Sequence, residues 1–150
     1  MSTLTLQQLT VGPLQENCWL LADAASGKAV LVDPGDEAEA LLAAVDATGC
    51  TLEAIWLTHA HFDHFHKPSL RKLPPSPKIA VLPWGCGSLA KRLGFERIVE
   101  LRWWETFGHG DWKVTLVPGK HWGARTLRDA LVLLTLELLS FCACAAAHGR

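Results

Sequence analysis

The sequence predicts an α/β fold, and three observations carry that expectation. Short apolar runs bounded by Gly, Pro and Asp recur along the first two-thirds of the chain, as buried strands do. Segments with apolar residues at helical spacing lie between them, and strands alternating with helices build layered α/β architectures. The composition supports a packed core: of 150 residues, 49% are hydrophobic and 19% charged. The charged share lies below the usual value of about 25%. A chain of this length forms one domain and buries roughly 68–70% of the surface its unfolded form exposes. Disorder, which needs low hydrophobicity and high net charge, is excluded.

Residues 3–9 alternate weakly, and residues 17–22 form a short apolar run after the Gly12-Pro13 turn, so both read as strands. Residues 29–32 are a continuous apolar run ending at Asp33-Pro34-Gly35, a third strand. Asp36 and Glu39 have capping-box spacing, Leu41, Leu42 and Val45 recur helically, and Gly49 stands where a C-terminal cap belongs. Residues 36–48 are therefore expected to be a helix. Residues 54–57 form a buried-type strand that runs into Thr58-His59-Ala60-His61-Phe62-Asp63-His64. A short helix or turn over 68–73 is broken by Pro74-Pro75-Ser76-Pro77. Then come a strand over 78–82, a helix over 88–93 stopped by Gly94, a strand over 98–101, a turn at Gly108-His109-Gly110-Asp111 and a strand over 112–117.

The character changes near the end. Residues 130–147 are rich in Leu and Ala, with Thr135, Glu137 and Ser140 as polar interruptions. Leu134, Leu136 and Leu138 alternate with Thr135 and Glu137 as in a strand, while the Leu and Ala content suits a helix equally. A membrane span needs about 20 apolar residues and tolerates an acidic group near its middle poorly, so a span is not favoured.

Charge and cysteine usage narrow the function classes. Lys+Arg 14 against Asp+Glu 15 gives a net charge of −1, with no basic excess to hold nucleic acid. Cys18, Cys50, Cys86, Cys142 and Cys144 are odd in number, mostly scattered, and preceded by no secretory signal, which predicts a cytoplasmic, reduced chain with buried thiols. Cys142 and Cys144 alone are too few for a thiolate metal site. Trp is abundant, 7 residues against no Tyr. Trp103, Trp104, Trp112 and Trp122 are expected to pack in the core rather than face lipid. No Ser–His–Asp set and no phosphate-cradling glycine loop is apparent. His109 reads as a turn residue, and His66 as a polar group at the mouth of the candidate site.

His59-x-His61-x-Asp63-His64 carries the chemistry. Residues two apart on an extended segment face the same side, so His59 and His61 can converge on one ion. Asp63 and His64 follow where the chain leaves the strand and offer an oxygen and a nitrogen to a second. Imidazole and carboxylate donors suit zinc, and also iron or manganese.

This motif resembles that of the metallo-β-lactamase superfamily, whose fold is a four-layer α/β–β/α sandwich. Residues 1–64, through Gln15-Glu16-Asn17-Cys18-Trp19-Leu20-Leu21 and Val32-Asp33-Pro34-Gly35-Asp36, resemble its glyoxalase II (hydroxyacylglutathione hydrolase) branch. Residues 65–129 resemble its N-acyl-phosphatidylethanolamine-hydrolysing phospholipase D branch. Pro68-Ser69-Leu70-Arg71, Leu93-Gly94-Phe95-Glu96-Arg97, Trp103-Trp104-Glu105 and Pro118-Gly119-Lys120-His121-Trp122 carry that likeness.

The resemblance implies that His59, His61 and His121 ligate a first metal and that Asp63 and His64 begin a second site. It also implies that Asp33 is a buried acid supporting the site loops, although before Pro34 it reads equally as a turn residue. The activity implied is metal-dependent hydrolysis, with one or two ions, in which metal-held hydroxide attacks a small-molecule thioester, ester or phosphodiester and Asp63 orients it. The superfamily's bridging Asp and final His have no counterpart after His121. Residues 1–129 are accordingly expected to form the N-terminal part of the sandwich, with 130–150 an apolar tail. The resemblance stops near Arg128, as a shifted reading frame or a truncated, joined gene would produce. Two other classes fit the same features: a non-catalytic metal-binding protein that pairs with a second copy through an open face, and a membrane-associated chain held by 130–147.

Overall fold

The computed structural model describes residues 4–73, 79–118 and 136–139. Leu4–Val11 (β1), Glu16–Asp23 (β2) and Lys28–Val32 (β3) form an antiparallel meander. The chain then crosses through the helix Ala38–Ala47 (α1) to Thr51–Trp56 (β4), which pairs parallel with β3. The short helix Lys67–Leu70 (α2) precedes Ile79–Pro83 (β5), and Gly87–Ala90 (α3) precedes Arg97–Leu101 (β6), both strands again parallel. Together they make one six-stranded sheet in the order β1-β2-β3-β4-β5-β6. Thr106–His109 (β7), Trp112–Pro118 (β8) and Leu136–Leu139 (β9) form a separate antiparallel sheet.

The central strands read as unbroken apolar runs because both their faces are covered. Leu20, Leu31, Leu52, Ile55, Ala80 and Leu82 point to the face packed by Ala38, Leu41 and Val45 of α1 and by Leu70 and Ala90 of the short helices. Leu21, Val30, Val32, Ala54, Trp56 and Val81 point the other way, onto Phe107, Val114 and Leu116 of the second sheet. Helices on one face and a sheet on the other are three successive layers of the expected sandwich.

Several expectations are corrected. Helix α1 starts at Ala38, after Glu37 in a left-handed conformation and with no side-chain cap. The capping box fails because the Asp36 carboxylate is occupied elsewhere, accepting the hydroxyl of Ser69 at 2.6 Å and the N–H of Glu37 at 2.7 Å. Gly49 does end the helix, at φ 70°. Helix α3 is a single turn, ended by Lys91 in an extended conformation and Arg92 at positive φ. His109 is a strand residue: it closes β7, which pairs with β8 around Gly110 and Asp111. Trp112 packs edge-on against buried Trp56, but Trp103 and Trp104 are exposed, in the tight connection between β6 and β7. Residues 136–139 of the Leu-rich segment form a strand, and the rest of 130–147 lies outside the described residues, as does Trp122. No helix among the described residues is long and apolar enough to cross a membrane.

A polar link between described residues joins the two sheets. The β3–β4 register slips between Ala29 and Val30, leaving Glu53 as the extra residue, and such bulges re-aim side chains. Its Oε1 accepts from Lys28 Nζ at 3.3 Å and lies 2.9 Å from His109 Nε2 on β7. The His109 bond, opposed by burial and helped by Lys28, holds the Glu53 carboxyl below its ordinary value of 4.5. A carboxylate depressed on folding stabilises above its unfolded pKa and loses that contribution as pH falls through the folded one.

Two measurements follow. Ile55→Ala, at a fully buried site, is expected to cost about 2–5 kcal/mol in urea unfolding. Acid titration of stability is expected to fall more steeply below about pH 4.5 in the wild type than in Glu53→Gln, which has no carboxylate to protonate.

Candidate metal centre

The site forms at the carboxyl ends of β3 and β4, where parallel α/β sheets open a crevice. Val32 pairs with Trp56, so Asp33 and Thr58 leave adjacent strands side by side. Asp33 takes a left-handed φ of 48° and is buried. Its Oδ1 accepts the Thr58 N–H at 2.8 Å, and its Oδ2 accepts the Thr58 hydroxyl at 2.5 Å. Thr58 Oγ1 also lies 2.7 Å from His59 Nδ1. Its single proton goes to the carboxylate, so the imidazole supplies the other, Nδ1–H donating to the hydroxyl oxygen. The relay Asp33–Thr58–His59 thus makes Nε2 the lone-pair nitrogen of His59, and that atom is buried.

The motif then winds back on itself. The Phe65 N–H donates to the His61 carbonyl at 2.9 Å, and the Gly35 N–H donates to the His64 carbonyl at 3.1 Å. The Phe65 ring is fully buried in the core beneath and pins the loop. The His61 ring stands nearly perpendicular to that of His59, centroids 4.8 Å apart, and the His64 ring lies 4.1 Å from His59. His64 Nε2 is 3.9 Å from Asp63 Oδ2, while Nδ1 faces inward, 3.4 Å from Asp33 Oδ2 and 3.0 Å from Glu16 Oε2.

Glu16 escaped the sequence reading. It opens β2 in phase with buried Cys18, Leu20 and Ala22, so an acid stands on the apolar side of the strand. That phase is the signal that finds it. Burial pushes its carboxyl up to about 8, against the pull of His64. Burial also lowers the His64 pKa, but the carboxylates of Asp33, Glu16 and Asp63 outweigh it and hold that pKa above the ordinary value.

Ligand atoms of Asp33, His59 and His64 lie within 4.8 Å of one another, and so do those of Glu16, Asp63 and His64. His61 is in neither trio and meets the cluster through the His59 ring. Among the described residues, both Glu16 oxygens and His64 Nδ1 are buried without a well-formed hydrogen bond. Converging imidazole nitrogens and carboxylate oxygens in a buried setting fit a zinc, iron or manganese ion. His121, the implied third ligand of the first ion, lies outside the described residues.

A Ser–His–Asp contact exists nearby, although not as a catalytic set. His66 Nδ1 lies 2.8 Å from Ser69 Oγ and 3.2 Å from Asp36 Oδ1. The buried Ser69 hydroxyl donates to Asp36 instead of to the imidazole, so the three residues clamp the loop and do not form a nucleophile.

Comparison with known proteins finds likenesses for part of the chain. Residues 11–66 match the family model of the Metallo-beta-lactamase superfamily. An uncharacterised protein of Aquifex aeolicus is 42% identical over 59 residues, 39% of this chain and 27% of that one. A hydroxyacylglutathione hydrolase of Chromohalobacter salexigens is 47% identical over 60 residues, 37% of this chain and 23% of that one. Among solved structures, the BLEG-1 B3 metallo-beta-lactamase superposes with a TM-score of 0.55 at 24% identity, over 75% of this chain and 60% of that one. The family-model match is confined to residues 11–66, and the sheet-rich α/β fold is similar to that of the metallo-beta-lactamase structures. The matched stretch covers about a quarter of the length of these curated relatives.

Gly35 is the tightest point of the site. At φ 54°, a Cβ added there would stand 1.3 Å from Glu16 Oε1 and 2.6 Å from the Asp63 carbonyl oxygen. Gly35→Ala is expected to destabilise by at least about 1–3 kcal/mol from overpacking alone. Adding Glu16→Ala should recover part of that loss, measured as a thermal-unfolding double-mutant cycle.

Proposed function

We propose that this chain serves a metal-dependent hydrolase acting on a thioester or ester of a small molecule. The observation that carries the reading is the meeting of His59, His64, Asp33 and Asp63 at the ends of β3 and β4, with the His59 tautomer set by a buried carboxylate. His59, through Nε2, and His61 would hold the first ion together with His121, and Asp63 and His64 would hold the second. A bound zinc, iron or manganese ion supplies Lewis acidity and lowers the pKa of water from 15.7 to about 7. Asp63 is the partly exposed carboxylate of the group and would orient the attacking water by accepting a hydrogen bond from it. Asp33 and Thr58 keep the first imidazole in the ligating tautomer.

Support for a thioester comes from the likeness to hydroxyacylglutathione hydrolases such as that of Chromohalobacter salexigens. The phosphodiester alternative draws on the resemblance of residues 65–129 to the phospholipase branch. Because the matched stretch covers a quarter of the relatives' length, a second reading is metal binding without turnover.

The test is elemental analysis of gel-filtered protein, followed by hydrolysis of a glutathione thioester and an aryl phosphodiester. Thioester cleavage that rises with metal loading and falls to background with chelator or in His61→Ala is expected. Bound metal with neither substrate cleaved would favour the binding reading, and protein that takes up no metal would sink both.

A further inference from the structure

The buried Glu16 has no role in the site as described so far, and a buried acid needs a reason. Removing a carboxyl group from water without a partner costs several kcal/mol. Glu16 sits at the start of β2, opposite Val11 on β1, with its side chain only 4% exposed. The absent side chain of Gly35 makes the room it occupies. Neither oxygen receives a well-formed hydrogen bond from any described residue. The nearest basic group is His64, whose Nδ1 is 3.0 Å from Oε2. Asp33 is the rival at 3.4 Å, but both its oxygens already accept from Thr58. About half of its acceptor sites are thus taken, whereas no described residue forms a well-made bond to either Glu16 oxygen.

We propose that Glu16 is a positioning residue for His64: a carboxyl oxygen of Glu16 accepts the imidazole Nδ1–H and so aims the Nε2 lone pair, beside Asp63, at the second ion. The inference rests on the metal reading above. Metal-ligating histidines commonly donate their other N–H to a carboxylate or carbonyl, and loss of that acceptor typically costs 10–100-fold in metal affinity. Glu16 would then do for His64 what the Asp33–Thr58 pair does for His59, from a different strand. Gly35 belongs to the same device, because any side chain there would displace the acceptor. The competing role is direct ligation, since Glu16, Asp63 and His64 also cluster as potential ligands. A glutamine distinguishes the two: its amide oxygen still accepts an N–H, but it is a poor substitute for an ionised ligand.

The experiment is calorimetric titration of zinc into the metal-stripped full chain for wild type, Glu16→Gln, Glu16→Ala and Asp63→Asn. Circular dichroism checks each fold, and NMR follows the His64 Nδ1–H in the zinc-loaded proteins. Two ions are expected in the wild type. Glu16→Ala should weaken the second about 10–100-fold and leave the first unchanged, with loss of the exchange-protected Nδ1–H signal. Glu16→Gln should keep both the affinity and the signal. A second ion bound by Glu16→Ala as in the wild type overturns the proposal. So does a Glu16→Gln loss equal to that of Asp63→Asn, which would make Glu16 a ligand. If Glu16→Ala does not fold, Glu16→Gln decides between these by the same two readouts. A wild type that binds one ion overturns the role of Glu16 and leaves the metal reading standing, whereas one that binds none overturns both.

Discussion

Two hydrogen bonds from Thr58 to the buried Asp33 carboxylate join the end of β3 to the end of β4, and the geometry of the site descends from them. An unsatisfied buried acceptor costs about 1–3 kcal/mol and a charged one more, so neither strand can end elsewhere without leaving the other exposed to that penalty. Because the two residues leave paired strands at the same level, the histidine after Thr58 starts from a fixed point. The bond from the Thr58 hydroxyl then passes the constraint on to an imidazole tautomer. A backbone register becomes a chemical property of a side chain two bonds away.

The same sheet serves two layers at once, which explains why the site can be so finely placed at its edge. Period-two alternation sends Leu31 and Ile55 to the helical side and Val30, Val32, Ala54 and Trp56 to the second sheet. Interiors packed on both sides resist sliding, and a one-residue slip would reverse every side chain. Glu53, displaced by a bulge, adds a directional bond between the layers. The loops that carry the histidines therefore rest on a framework held from both faces, with Phe65 as their own anchor.

The sequence made most of the large sheet legible, for a physical reason. Continuous apolar runs such as residues 29–32 and 79–82 have few alternatives to a doubly covered strand, and Gly49 has few alternatives to a helix end. The misses share another cause: polar side chains whose partners are distant in sequence. Asp36 looks like a helix cap until Ser69, 33 residues away, takes its carboxylate. His109 looks like a turn residue because its partner, Glu53, is 56 residues away. Glu16 stands just before the apolar run of residues 17–22 and draws no assignment, because only the pairing with β1 and the phase of β2 turn it inward. Short-range pattern shows which residues must be buried, and only the fold shows which polar groups are buried with them.

Backbone conformation around the site has a consequence for how the protein can change. Gln15, Asp33 and Glu37 all stand at positive φ, at 52°, 48° and 59°, in turns next to Glu16, the Asp33 carboxylate and Gly35. Sparsely populated conformations of this kind cost of order 1–3 kcal/mol each and persist where their surroundings impose them. At Gln15 and Glu37, glycine would relieve that cost and leave the clustered imidazoles and carboxylates in place. At Asp33 the relaxed residue and the required carboxylate exclude each other. Selection for thermal robustness can therefore harden the approaches to the site, but at Asp33 it meets a fixed ceiling, because the strained residue there is also the one that sets the first imidazole.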